Sequence, residues 1–196
     1  MYGEKFLDIT VFRAIKLEDV DKFGGNDPYV FVFTDIDEPK IGAKTHVSKE
    51  GKNPKWNQQL HLENLTDRTQ YVYLEVMDDE TGTDEPIAFA AVPLSQIRDA
   101  PGDRLQGEFN LFNKDGQAKG KIVLGLRLRN PSDLPIEEEE GALVEGVSQV
   151  VGKHQERFKK MVFKENLEDG GKAVLTGLAL LGAGAKLFAK PAKKEA

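Results

Sequence analysis

Gly24-Gly25-Asn26-Asp27-Pro28-Tyr29-Val30-Phe31-Val32-Phe33-Thr34 joins a turn to a strand. Two glycines, an Asn and an Asp supply the backbone freedom and short side-chain hydrogen bonds that turns require. Pro28 fixes its own φ and steers Asp27 away from the helical region. The β-branched and aromatic run from Tyr29 to Thr34 then reads as extended chain. The same grammar repeats on both sides. Upstream, residues 6–14 alternate through Leu7, Ile9 and Val11; downstream come candidate strands at 44–48, 59–63, 71–77, 87–94, 107–111 and 120–129. The last places Ile122, Leu124, Leu126 and Leu128 on one face. Asn53-Pro54, Gly82, Pro101-Gly102 and Asp115-Gly116 punctuate the series. Eight short strands without a long helix in residues 1–130 predict a mainly β fold, an eight-stranded antiparallel β-sandwich.

Composition narrows the function. The 196 residues include no cysteine, which excludes disulfides, thiolate catalysis and Cys-based zinc sites. Charges near the N-terminus, where a secretion signal needs an apolar run, predict a cytoplasmic protein. Net charge is −6, unevenly spread. Residues 1–130 hold 17 Lys/Arg against 22 Asp/Glu; residues 131–152 hold six acids and no base; residues 153–196 hold ten bases and five acids. An acidic body argues against nucleic acid as a partner. A basic end is suited to an anionic membrane. No Gly-x-Ser-x-Gly elbow, P-loop or dinucleotide fingerprint occurs, and His46, His61 and His154 are scattered. The chain reads as a binding module, not an enzyme.

Beyond Asn130 the pattern changes. Residues 131–141 form an acidic linker with Pro131 and Pro135. Residues 142–166 have helical periodicity, with Leu143, Val147, Val150, His154, Phe158 and Met161 on one stripe, although Gly146 and Gly152 oppose a helix. Residues 172–189 are an apolar helical segment broken by Lys186, with a basic end at 190–194. The expected fold is therefore a sandwich followed by a helical C-terminal tail. The amphipathic stripe either docks on the sandwich or on another copy, or lies on a membrane. The apolar segment is a marginal membrane anchor, a helix-packing element or a disordered stretch.

Two acidic constellations stand where predicted strands give way to turns: Asp21 to Asp27, and Asp78-Asp79-Glu80 to Glu85. Folded side by side, their carboxylates repel one another unless a cation sits among them. Ca²⁺, a hard ion with oxygen ligands, is the expected occupant.

Residues 5–130 resemble a C2 domain, the calcium- and phospholipid-binding β-sandwich. The resemblance rests on Leu7-Asp8-Ile9-Thr10-Val11, on Asp21 followed by Asp27-Pro28-Tyr29-Val30, and on Lys44-Thr45 with Val47. It continues through Asn53-Pro54-Lys55-Trp56-Asn57 and Val76-Met77-Asp78-Asp79-Glu80. Beginning on the Leu-x-Ile-x-Val strand, the order is similar to that of phospholipase C. The resemblance implies Ca²⁺ ligation by Asp21, Asp27, Asp78, Glu80 and Glu85, with Asp84 adjacent, and by the backbone carbonyls of Lys22 and Asp79. Glu80 stands where the family usually has Asp, and the second loop is one residue short. Such a site implies docking to anionic phospholipid membranes, with Phe23 and Lys22 as membrane contacts. The family's lysine-rich strand maps to Lys40, Lys44 and Lys49, a candidate phosphoinositide patch. Trp56 is expected in the core with its indole N–H bonded.

Together these features predict a cytoplasmic, peripheral membrane protein that binds phospholipid in a Ca²⁺-dependent manner, as an adaptor in trafficking or signalling. The alternative is a calcium-independent protein-interaction scaffold, with self-association or a protein partner taken up through residues 142–189.

Overall fold

The sandwich strands are β1 (Lys5–Ile15), β2 (Pro28–Phe33), β3 (Gly42–Lys44), β4 (Lys55–Leu65), β5 (Tyr71–Asp78), β6 (Glu85–Pro93), β7 (Arg104–Phe112) and β8 (Ala118–Arg129), and all but β3 largely cover the stretches expected from the sequence. The computed structural model describes residues 5–20, 25–130, 132–133 and 143–164, leaving aside the side chain of Asn64. The strand order is β3-β2-β5-β6-β7-β8-β1-β4, and β6 meets β7 through the single pair Phe89 and Phe112. The chain therefore makes two four-stranded halves, β3-β2-β5-β6 and β7-β8-β1-β4, packed face to face.

The inner faces supply one core. Val30, Val32, Leu74 and Val76 from the first half share it with Ile9, Val11, Leu124 and Leu126 from the second. Each such side chain contributes roughly 1.5–3 kcal/mol on burial. β1 needs a correction to keep its polar residues outside. Strict alternation from Leu7 would turn Arg13 inward; a register shift between Val11 and Arg13 in both of its pairings leaves Arg13 exposed and buries Ala14. A short helix, α1 (Ser95–Arg98), and a 3₁₀ turn (Pro101–Asp103) connect β6 to β7.

β3 ends earlier than the predicted strand at 44–48. Thr45 replaces a ladder bond with its hydroxyl: Val30 N–H donates to Thr45 Oγ1 at 3.0 Å, while Thr45 N–H donates to the Val30 carbonyl. The chain still follows β2, because Ser48 N–H donates to the Pro28 carbonyl.

The segment after the linker is not the continuous helix expected over 142–166. Residues 143–150 are extended. β9 (Val144–Glu145) pairs in parallel with β7, and Gln149 exchanges two backbone hydrogen bonds with Ala91 of β6. The segment thus lies in the cleft where β6 and β7 diverge. Gln96 clasps it further, accepting from Val147 N–H at 2.9 Å and donating to the Val147 carbonyl at 2.7 Å. Gly146 explains why a helix fails here. A β-carbon at that position would lie 2.2 Å from Phe109 Cε1, so only glycine lets the backbone pass over that ring. Helical structure begins at 152 and runs to 164 (α2).

α2 covers the outer face of β2-β5-β6. That face carries Phe33, Tyr73 and Ala91, with Phe31, Ile36, Tyr71 and Val151 packed alongside. The Phe158 ring packs on Phe89 with centroids 4.8 Å apart and planes tilted by 38°, and the fully buried His154 ring stands edge-on to Phe33, Tyr73 and Phe89. Glu75, on β5 beneath the helix, is only 2% exposed. Arg157 grips it with two hydrogen bonds, Nε to Oε1 at 2.9 Å and Nη2 to Oε2 at 3.1 Å, and His154 Nε2 lies 3.3 Å from Oε1. Burial pushes the Glu75 carboxyl up, but His154 and Arg157 outweigh it and hold the carboxyl below its ordinary range. Of the two arrangements open for the amphipathic stripe, docking on the sandwich is the one observed. Leu143 and Val147 face solvent instead, because residues 143–150 are not helical.

Candidate functional site

The ends of β2, β5 and β6 bring three predicted ligands to one rim. Pro28 pairs with Asp78, and Asp78 with Glu85, so Asp27, Asp78 and Glu85 occupy neighbouring strand ends. Asp78 is 1% exposed. Its Oδ1 accepts the Asp27 backbone N–H at 2.5 Å, and the Asp27 carbonyl accepts Asp79 N–H at 3.1 Å. Residues 51 positions apart are thereby locked together.

Below the rim, Trp56 is buried and its indole N–H donates to the Pro28 carbonyl at 3.1 Å. Pro28 has no N–H of its own, but its carbonyl serves both Trp56 and Ser48. This pins the backbone beside Asp27. Asn26 does the same for the first loop: its Oδ1 accepts Val20 N–H at 3.0 Å and its Nδ2 donates to the Glu18 carbonyl at 2.7 Å. Gly25, at φ +89°, supplies the turn. Asp21, Lys22 and Phe23 lie outside the described residues.

The remaining acids are placed differently. Asp84 Oδ2 accepts the Tyr29 hydroxyl at 2.6 Å, and its Oδ1 accepts Glu80 N–H at 3.3 Å. Burial and then the Asp84 carboxylate raise the Tyr29 hydroxyl pKa, so it remains a donor. Asp79 and Glu80 are exposed. Among the described residues, no three His, Cys, Asp or Glu side chains gather as a metal site. The rim therefore offers Asp27 and Asp78 as one pair, with Asp84 drawn aside by Tyr29.

A positive charge already sits there. Lys49 Nζ lies 2.5 Å from Asp27 Oδ2. Its pKa is raised, first by the hydrogen bond to Asp27; desolvation opposes this, and the charges of Asp27, Asp79 and Asp78 add to the rise. The three lysines of the candidate phosphoinositide patch have different surroundings. Lys49 is at the rim, Lys44 lies over the Tyr29 ring at 4.9 Å, and Lys40 is exposed in the β2–β3 hairpin, at the far end of β2 from Pro28. α2 also covers the outer face of the neighbouring strands. No helix among the described residues is long and apolar enough to cross a membrane; residues 172–189 and 190–194 lie outside them.

Asn26 and Tyr29, which the sequence marks only as a turn residue and as a strand residue packed inward or beside the rim, join the acidic positions at the rim. Asn26 was legible as a turn residue, and its role as a clip depends on Val20 and Glu18. Tyr29 gave a weaker signal, because nothing local indicates which way its hydroxyl points.

The family model for the C2 domain matches residues 5–111. A calcium-dependent lipid-binding protein of Arabidopsis thaliana is 30% identical over 125 residues, covering 60% of this chain and 24% of that protein. Synaptotagmin-2 of the same plant is 33% identical over 92 residues, covering 46% and 17%. The chain thus spans a quarter or less of the length of these relatives. Among solved structures, a C2 domain of a plant extended synaptotagmin 1 superposes with a TM-score of 0.54 at 25% identity, covering 65% of this chain and 96% of that one.

Proposed function

The chain belongs to the C2 domain family, and on that premise we propose that it is a non-enzymatic, peripheral membrane protein whose acidic rim takes up Ca²⁺ and then docks on anionic phospholipid. One observation carries this reading: Asp27 and Asp78 converge from distant segments, and an ammonium group is seated on Asp27. Lys49, in the loop after β3, sets an ammonium beside the acidic segments, which supports a rim suited to positive charge. Ca²⁺, with six to eight oxygen ligands, would draw on the carboxylates of Asp27 and Asp78. By family resemblance Asp21, Glu80, Asp84 and Glu85 add to them, with the carbonyls of Lys22 and Asp79. The ion's contribution is charge reversal at the rim. The residues' contribution is to fix the Asp78 carboxylate against the Asp27 backbone in advance, through the Asp27 N–H bond to Asp78 and the Trp56 clamp on Pro28. Without a cation the rim repels phosphate headgroups; with one it attracts them. Phe23, next to the ligand position Lys22 in the sequence, is assigned to the membrane interface, where burial of its ring would contribute roughly 1.5–3 kcal/mol.

The Tyr29 bond to Asp84 supports a small number of ions, because it commits an oxygen that a multi-ion site needs. A second reading draws on Lys49. If the internal ammonium suffices, the sandwich is a calcium-independent scaffold that presents the tail to a protein partner. Sedimentation with phosphatidylserine-containing vesicles, in Ca²⁺ and in chelator, separates the two. The proposal expects pelleting in Ca²⁺ that Asp27→Asn with Asp78→Asn removes. Equal pelleting in chelator, or pelleting that survives both substitutions, refutes it.

A further inference from the structure

Lys49 belongs to the candidate phosphoinositide patch, and its ammonium lies on Asp27 at the rim. Ser48, just before it, is buried and bonded through its N–H to the Pro28 carbonyl. The backbone of residue 49 is therefore fixed beside Asp27, while the lysine side chain itself remains 74% exposed. One end of the side chain is anchored and the other is free to swing through solvent. Nearby lysines have other partners: Lys52 pairs with Asp19 at 3.2 Å, and Lys44 lies on Tyr29. Only Lys49, among these, is directed at the rim.

We infer that Lys49 is the rim's displaceable counter-ion: its ammonium holds Asp27 while no metal is bound, leaves when a divalent cation enters, and then contacts a phosphate oxygen of the membrane. The inference rests on the calcium reading above. A divalent ion ligated by the Asp27 carboxylate and the ammonium on its Oδ2 repel each other, so entry of the ion weakens the hold on Lys49. The exposed pair is weak enough to yield. A released ammonium, held by its backbone at the edge of a rim that has just turned positive, adds to the attraction for an anionic headgroup. Lys49 thus has opposite effects on the two ligands, opposing the ion and favouring the lipid. A residue that merely stabilised the loop would weaken both when removed.

The test uses the full chain, with Lys49→Gln and the charge-retaining Lys49→Arg, each checked for an unchanged thermal midpoint. Ca²⁺ affinity is measured by calorimetric titration without lipid, and vesicle affinity by sedimentation with phosphatidylserine vesicles at saturating Ca²⁺. Lys49→Gln is expected to bind Ca²⁺ roughly two- to fivefold more tightly, the fold-change equivalent of an exposed ion pair, and to bind the vesicles more weakly. Lys49→Arg is expected to behave as wild type in both. If wild type binds no Ca²⁺ while Lys49→Gln does, the counter-ion role stands and the calcium reading of the natural chain falls. If wild type binds but Lys49→Gln binds no more tightly, the inference falls alone. If neither binds, both fall. Tighter ion binding with unchanged vesicle binding overturns the membrane role of Lys49.

Discussion

Arg157→Met tests what holds α2 to the sheet. Glu75 is a nearly buried carboxylate on a central strand, and Arg157 is the partner that bonds both of its oxygens. Hydrogen bonds to charged groups contribute roughly 1.5–3 kcal/mol each, and removing one member of a buried pair costs about 3–5 kcal/mol. Arg157 is one-third exposed, at 33%, and His154 remains beside Glu75, so the loss is discounted to about 2–3 kcal/mol at pH 7. The pH dependence follows from the direction of the Glu75 shift. Its folded pKa lies below the unfolded value of about 4.3, so the pair's contribution is complete above that value and is lost as pH falls through the folded one. The cost of Arg157→Met should accordingly shrink as pH drops below about 4.3. Glu75→Gln combined with Arg157→Met should recover at least half of the loss, because no charge is then left buried. Urea unfolding followed by Trp56 fluorescence reports the global change, and amide exchange over residues 152–164 reports whether α2 opens by itself. A loss under about 0.5 kcal/mol at pH 7, or an equal loss at pH 7 and below pH 4, would refute the reasoning.

Gly146→Ala should destabilise the chain by about 1–3 kcal/mol, as overpacking against Phe109 does; an unchanged thermal midpoint would show that the segment is not seated over that ring. A chain ended at Asn130 would uncover Phe33, Tyr73 and Phe89 together with the Glu75 carboxylate. It should bind an apolar dye and self-associate, as light scattering would detect, and a dye-silent monomer would mean that the sandwich does not need its tail.

The sandwich was legible because its signals are local. The Asp27-Pro28 turn and the alternation of Ile122 to Leu128 each specify one element without reference to the rest of the chain. The family resemblance then supplied the pairing that places Asp27 beside Asp78. What stayed hidden depends on contacts between distant residues. The stripe through Leu143 and Val147 was read as helical, but Phe109 across the cleft excludes a side chain at Gly146 and keeps the segment extended. A usable signal was present in the strands: β2 and β6 are apolar on both faces, which is how strands covered on both sides read. Lys49 was assigned to a lysine-rich face by its position in sequence. Its side chain instead follows the negative charge that the fold brings beside it.

Two stacked sheets have four open hydrogen-bonding borders, here β3, β6, β7 and β4. Residues 144–149 satisfy backbone groups on both β6 and β7. β3 is only three residues long and gives way to a threonine hydroxyl in place of a ladder bond. Along β4, Asn57 at φ +46° breaks the regularity an incoming strand would need. The fibril-prone seams of an all-β protein are thus closed by a tail, a truncation and a kink. Of the three, the tail is the one that can be lost by proteolysis without touching the sandwich sequence.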